Sequence, residues 1–172
     1  MFLNKIKDFW IKKIVKKKLL NVKLINSDSS IEKVGIVFDE SYFYEREELL
    51  KELIQQGIKS ENIHILVFKN KIKKNEIFDY PVFSYKNMSW IASVNGKSFD
   101  DFVNPNFDLL ISYYDIEKSP LLLTTHLSKA SFKVGFASID KRLNHFMIDT
   151  NAENYKIFME ELFKYLKILN KL

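Results

Sequence analysis

The feature that most constrains the fold of this chain is the alternation of short, continuously apolar runs with longer amphipathic segments. The clearest runs are Val34–Phe38, Ile63–Phe68 and Asp108–Tyr113. Successive apolar positions in a strand need cover on both faces, which is typical of parallel sheets flanked by helices. A helical pattern separates the first two runs, as in a right-handed βαβ unit.

The rest of the chain continues this alternation. Further strands are predicted at Pro81–Tyr85, Phe132–Ala137 and Phe146–Asp149. Ser41 is predicted to cap the helix after the first strand, and further helices are predicted over Ser98–Val103 and Lys118–Lys129. The last helix is predicted to begin with a capping box formed by Thr150 and Glu153. Five or six strands in this arrangement predict a three-layer, doubly wound α/β fold with a mostly parallel, Rossmann-like sheet.

Positive charge is concentrated at the start of the chain. Residues 1–23 contain eight lysines and one aspartate, so their formal charge is +7, and the remaining residues sum to −2 within a net charge of +5. We expect a basic N-terminal helix and hinge over residues 1–26 and a single α/β domain over residues 27–172. The lysines expected to bind an anionic partner are Lys5, Lys12, Lys13, Lys16, Lys17 and Lys18.

The basic segment has two apolar arcs at helical spacing. Phe2, Leu3, Ile6, Phe9 and Trp10 form the first, and Ile11, Ile14, Val15 and Leu19 form the second. Aromatic side chains opposite the charges would suit a helix lying on a membrane surface. We expect the α/β domain to fold without this segment; the alternative is a helix that packs on its own domain with its lysines facing water.

Several kinds of site are not indicated by the sequence. The absence of cysteine excludes thiolate metal sites and Cys nucleophiles. His64, His126 and His145 lack the spacing of a helical zinc motif. The first βα turn, residues 39–44, contains two carboxylates and no glycine, and no phosphate-binding loop is present. We therefore expect no metal and no nucleotide cofactor.

Polar residues follow several of the predicted strands. In doubly wound sheets ligands bind at the carboxyl ends of the strands. The candidates there are Asp39, Glu40, Tyr114, Asp115 and Arg142. Asp39, Glu40 or Asp115 could serve as acid or base groups in an enzyme, whereas solvated loops are the alternative interpretation.

Three stretches carry a resemblance to a known family. They are Ser89-Trp90 to Gly96-Lys97, Phe107-Asp108-Leu109-Leu110-Ile111, and Ala130-Ser131-Phe132-Lys133-Val134-Gly135-Phe136. With these stretches the chain resembles an uncharacterised family of small proteins from Bacteroidota, which implies no known activity. The last two stretches also resemble the N-terminal half of heptosyltransferase-type glycosyltransferases. That likeness implies the fold, but we expect no second domain of the kind that binds the nucleotide sugar in those enzymes.

Two hypotheses of function follow. The first is a binding or adaptor protein, not an enzyme, whose basic helix docks on RNA, a ribonucleoprotein or an acidic membrane surface. The second is a small sugar- or nucleotide-handling enzyme with its site at the strand ends.

No stretch reaches the roughly 18 apolar residues of a membrane span, and no signal peptide is visible. We expect a cytoplasmic protein, with peripheral attachment to the inner membrane as an alternative.

Overall fold

The computed structural model describes residues 2–20, 30–41, 43 and 45–172, and of residues 2–4 it describes the backbone alone. The strands are β1 (Val34–Asp39), β2 (Ile63–Phe68), β3 (Val82–Phe83), β4 (Leu109–Tyr113), β5 (Phe132–Phe136) and β6 (Phe146–Ile148). They form one sheet in the order β3-β2-β1-β4-β5-β6, and every neighbouring pair is parallel. The predicted doubly wound, Rossmann-like α/β fold is confirmed.

Helices cover both faces of this sheet. They are α1 (Phe2–Lys18), α2 (Arg46–Gln55), α3 (Lys97–Val103), α4 (Ser119–Leu127) and α5 (Tyr155–Ile168). Adjacent side chains of β4 define the two layers, since Ser112 Oγ lies 3.0 Å from Thr125 Oγ1 of α4 while the Tyr113 ring lies 5.1 Å from that of Phe158 in α5. Helices α1 and α3 contact α4, and α2 contacts α5.

Helix α2 starts later than the sequence predicts. It begins at Arg46, with Glu45 rather than Ser41 at the cap. The backbone N–H of Ser41 instead donates to Asp39 Oδ1 at 3.0 Å, and its hydroxyl accepts a hydrogen bond from Lys118 Nζ. Ser41 therefore belongs to a turn at the end of β1, because its backbone N–H is bound by the Asp39 carboxylate and its hydroxyl does not cap a helix.

The capping box predicted for the last helix is also wrong. Helix α5 begins at Tyr155, so Thr150 and Glu153 lie before it. The Asp115 carboxylate accepts a hydrogen bond from the backbone N–H of Ala152 at 2.9 Å. This long-range contact holds the residues just before α5 in turns. A capping rule based on neighbouring residues does not take such a contact into account.

The two apolar arcs of α1 face different surroundings. Ile11, Val15 and Leu19 are buried and belong to the same apolar cluster as the strands. Phe9 and Trp10 are 64% and 52% exposed. The described structure therefore favours the alternative in which α1 packs on its own domain. Of the segment expected to hold the basic helix and hinge, 1–26, residues 1 and 21–26 lie outside the described residues.

Candidate functional site

The carboxyl ends of β1 and β4 form the topological switch point of the sheet. The chain leaves β1 for β2 on one side and leaves β4 for β5 on the other. Loops that diverge in this way open the crevice in which doubly wound proteins bind ligands. Asp39 is the last residue of β1, and Lys118 precedes α4 in the connection that follows β4.

Asp39 and Lys118 form an ion pair across this switch point. Lys118 Nζ lies 2.6 Å from Asp39 Oδ2 and donates to Ser41 Oγ at 3.0 Å, and the ammonium lies 5.2 Å from the ring centroid of Phe68. Both charged side chains are buried. Within the described structure Asp39 Oδ2 has no hydrogen-bond donor apart from this ammonium. The two charges therefore neutralise each other inside the fold.

Helix N-termini beside the crevice are unsuited to anions. Glu47 and Glu48 lie in the first turn of α2, where their carboxylates repel a phosphate. At the start of α4, the backbone N–H of Ser119 donates to Asp8 Oδ1 of α1 at 2.7 Å. A carboxylate of the chain itself thus occupies the position that a bound phosphate would take.

A small cleft remains beside the end of β1. Its volume is about 70 Å³, and its walls are formed by Phe38, Glu40, Phe43, Arg46, Glu47 and Val67. Small-molecule sites usually measure about 300–1,000 Å³. The Arg46 guanidinium lies 3.8 Å from the ring centroid of Tyr80, whose hydroxyl donates to Glu40 Oε1 at 2.9 Å. Arg46 also donates to Glu47, whereas Glu40 Oε2 accepts no hydrogen bond within the described part of the chain.

The other candidates at the strand ends do not converge on this cleft. Tyr114 is buried, and its hydroxyl lies 2.7 Å from Thr125 Oγ1. Asp115 holds the turn before α5, and the Arg142 guanidinium donates to Asp140. Burial raises the pKa of Tyr114 well above its ordinary value of 10.0, so its hydroxyl stays protonated. The five residues predicted to form one rim thus act in separate structural contacts.

Helix α1 runs beside the loops that follow three of the strands. Lys7 Nζ donates to the carbonyl oxygens of Tyr85 and Met88 after β3. Lys16 Nζ lies 2.6 Å from Glu117 Oε2 after β4. After β5, Arg142 donates to the Lys16 carbonyl oxygen at 3.0 Å. The helix is therefore fastened along the edge of the sheet where a ligand would otherwise enter.

The six lysines predicted to bind a partner fall into two groups. Lys12 pairs with Asp8 at 2.9 Å and Lys16 pairs with Glu117, so these two stabilise the docked helix. The remaining four are exposed and form no ion pair within the described part of the chain; they are Lys5, Lys13, Lys17 and Lys18. Lys13 Nζ lies 5.7 Å from the Trp10 ring centroid. Cations and aromatic rings therefore share the solvent-exposed side of α1, its outward face, which includes Phe9, Trp10, Lys13 and Lys17, instead of lying opposite each other.

An exposed turn that the sequence analysis missed lies beside α1. Met88 and Val94 form an antiparallel bridge, and the Ser89 N–H donates to the Ser93 carbonyl oxygen at 2.8 Å. The tip between the serines presents Trp90 and Ile91 to solvent. Ser89 and Ser93 were the available signal, because serine hydroxyls form hydrogen bonds to nearby backbone groups in turns.

His145 has a structural role. His145 Nδ1 accepts a hydrogen bond from the Lys133 backbone N–H at 2.8 Å, and its ring stacks on Phe132. The described residues contain no group of three or more His, Cys, Asp or Glu side chains that could hold a metal ion. Nor does any described helix have the length and apolarity that a membrane span requires.

The fold and the strand-end geometry define a doubly wound α/β protein whose N-terminal helix docks beside its own switch point. Residues 7–169 match the family of unknown function DUF6913, and the chain belongs to this family. The match begins within α1, so the family includes most of this helix together with the sheet. Comparison with curated proteins and with solved structures gave no match.

Proposed function

We propose that this protein is a non-catalytic binding module that docks on an anionic surface through the outward face of α1. The observation that carries the proposal is the composition of that face. Exposed Lys13 and Lys17 lie beside exposed Phe9 and Trp10 on a helix whose other side is buried. Exposed aromatic side chains next to cations are typical of surfaces that bind anionic partners.

The rigid attachment of α1 supports this function. A helix held by Ile11, Val15 and the Asp8–Ser119 hydrogen bond presents its lysines in a fixed arrangement. Preorganised charges lose little conformational freedom when a partner binds. Each lysine near an anionic bilayer contributes about 1 kcal/mol, and each phosphate contact makes binding to a nucleic acid more sensitive to salt.

A small enzyme acting on a sugar or nucleotide is the second candidate. The buried polar group of Asp39, Lys118 and Ser41 at the switch point favours it. The small cleft and the acidic start of α2 argue against it. An enzyme of this kind should bind a sugar nucleotide, so uridine diphosphate should raise the Tm of the native chain but not that of Asp39→Asn.

The proposed function is tested by reversing charge on the outward face. Lys13→Glu/Lys17→Glu should weaken binding to phosphatidylserine-containing vesicles or to single-stranded RNA by at least about 2 kcal/mol, roughly thirty-fold. Lys59→Glu/Lys156→Glu is the matched control, because these exposed lysines lie away from α1 and produce the same change in net charge. Equal effects of the two variants, or no binding of the native chain to either polyanion, would refute the proposal.

A further inference from the structure

The turn over residues 88–94 holds its apolar tip in a defined position. Besides the backbone bridge, Ser89 Oγ lies 2.6 Å from Ser93 Oγ and accepts the Ser93 backbone N–H at 3.2 Å. Ala92 has a φ of 58°, which closes the turn tightly. Trp90 and Ile91 nevertheless remain 53% and 77% exposed. Two large apolar side chains are thus held in solvent by a well-bonded turn.

Helix α1 contacts this turn directly. Lys7 Nζ donates to the Met88 carbonyl oxygen and lies 5.8 Å from the Trp90 ring centroid. Trp10 follows Lys7 by three residues, so it lies on the same side of α1, one turn further along. The exposed tip and Trp10 are therefore neighbours on one surface, and the Phe9 ring adjoins Trp10, with ring centroids 6.2 Å apart.

We propose that the tip of residues 89–93 and the outward face of α1 form one membrane-binding surface, which inserts Trp90 and Ile91 among the headgroups of an anionic bilayer. This inference rests on the proposed function and names its partner. Phe9 and Trp10 enter the same interfacial layer. Lys13 and Lys17 remain at the level of the lipid phosphates.

The chemistry of the tip favours a bilayer over RNA. Trp90 could stack on a base, but Ile91, the more exposed of the two, has no π face to offer. Tryptophan is enriched at the membrane–water interface, and an aliphatic side chain gains free energy among acyl chains. Leu20, just beyond α1, is a further large apolar side chain that is 82% exposed. Lysine side chains can bury their stems while their charges stay in water.

The two tryptophans of the chain both lie in the proposed surface, so intrinsic fluorescence reports on it directly. The full-length variants Trp10→Phe and Trp90→Phe each retain one fluorophore. Both should show a blue-shifted emission on addition of vesicles of phosphatidylcholine with phosphatidylserine, and neither should shift with phosphatidylcholine alone. Trp90→Ser/Ile91→Ser should bind the anionic vesicles roughly ten- to a hundred-fold more weakly.

Ile168→Ser/Leu169→Ser is the matched control, since this exposed apolar pair lies at the end of α5 in the opposite layer. It should bind as the native chain does. A shift of Trp10 without a shift of Trp90 would overturn the inference and leave the proposed function intact. Binding to single-stranded RNA but not to anionic vesicles would do the same. Binding to neither polyanion would reject both.

Discussion

Asp8, in the first half of α1, accepts a 2.7 Å hydrogen bond from the backbone N–H of Ser119, the first residue of α4. The same carboxylate oxygen accepts the Tyr85 hydroxyl at 3.0 Å, and Lys12 neutralises the other oxygen. The Asp8 side chain therefore caps α4 and fixes the loop after β3. Helix α1 is thus joined to the domain at the N-terminus of α4, whose partial positive charge could otherwise attract a free anion.

The first prediction concerns the packed face of α1. Ile11→Ala should lower the free energy of unfolding by about 2–5 kcal/mol, because it leaves a cavity at a fully buried position. Phe9→Ala, on the exposed face of the same helix, should change it by less than about 0.5 kcal/mol. Urea denaturation followed by circular dichroism measures both. A negligible effect of Ile11→Ala would instead support the predicted division into a basic segment, 1–26, and a separate domain, 27–172.

The second prediction concerns the switch-point ion pair. Lys118→Met should destabilise the protein by about 3–5 kcal/mol, since it leaves the Asp39 carboxylate buried without a countercharge. Asp39→Asn/Lys118→Met should recover part of that loss, because neither position of the pair then carries a buried charge. Denaturation of the two single variants and the double variant gives the coupling free energy. Additive losses would show that the two side chains do not act as a pair.

The third prediction concerns the dependence of stability on pH. Lys133 is buried on β5, and its ammonium donates to the Thr125 carbonyl oxygen in the last turn of α4 at 2.7 Å. Burial lowers its pKa from an ordinary value of 10.5 to about 8. Between these two pH values the unfolded chain holds a proton that the folded chain has released. The unfolded state binds more protons there, so stability should rise with pH.

The comparison with Lys133→Met isolates this effect. Relative to that variant, the native chain should gain up to about 1.4 kcal/mol per pH unit between pH 8 and 10. The raised pKa values of Tyr113 and Tyr114 lower stability above about pH 10, but both proteins share that contribution. Unfolding curves at intervals of pH measure the difference. A difference that does not vary with pH would mean that Lys133 titrates normally.

The fourth prediction concerns acid. Hydrogen bonds from Arg142 lower the pKa of Asp140 to about 2, below its ordinary value of 3.8. The stability contributed by this pair is therefore present above about pH 4 and is lost as the pH falls toward 2. Asp140→Asn should remove on the order of 1 kcal/mol at neutral pH and reduce this acid sensitivity. Exposed Asp79→Asn is the control, and it should leave the acid-unfolding curve unchanged.

Amide hydrogen exchange gives the fourth prediction a second readout. Arg142 also donates to the carbonyl oxygens of Lys16 and Leu19 at the end of α1. Loss of its carboxylate partner should free the guanidinium and increase exchange in the last turn of α1. Unaltered exchange there would mean that Arg142 holds the helix without help from Asp140.

Local patterns determined most of the secondary structure of this protein. The apolar runs predicted β1, β2 and β4 closely, because a strand buried on both faces must be apolar at successive positions. Gly57 follows the end of α2 with a φ of 98°, since a residue without a side chain adopts that conformation at little cost. Parallel order followed from the alternation of strands and helices.

Contacts between distant residues decided the rest. The sequence identified two apolar arcs on α1, but only packing against α4 determined that Ile11 is buried and Trp10 exposed. Asp39 was a candidate acid or base by its place after a strand, and its pairing with Lys118 depends on how the loops after β1 and β4 meet. Thr150 matched a capping pattern, but the distant Asp115 carboxylate fixes the segment before α5 through Ala152. A sequence specifies which groups need partners, whereas the tertiary structure selects the partners, because residues far apart in the chain compete for the same hydrogen bonds and charges.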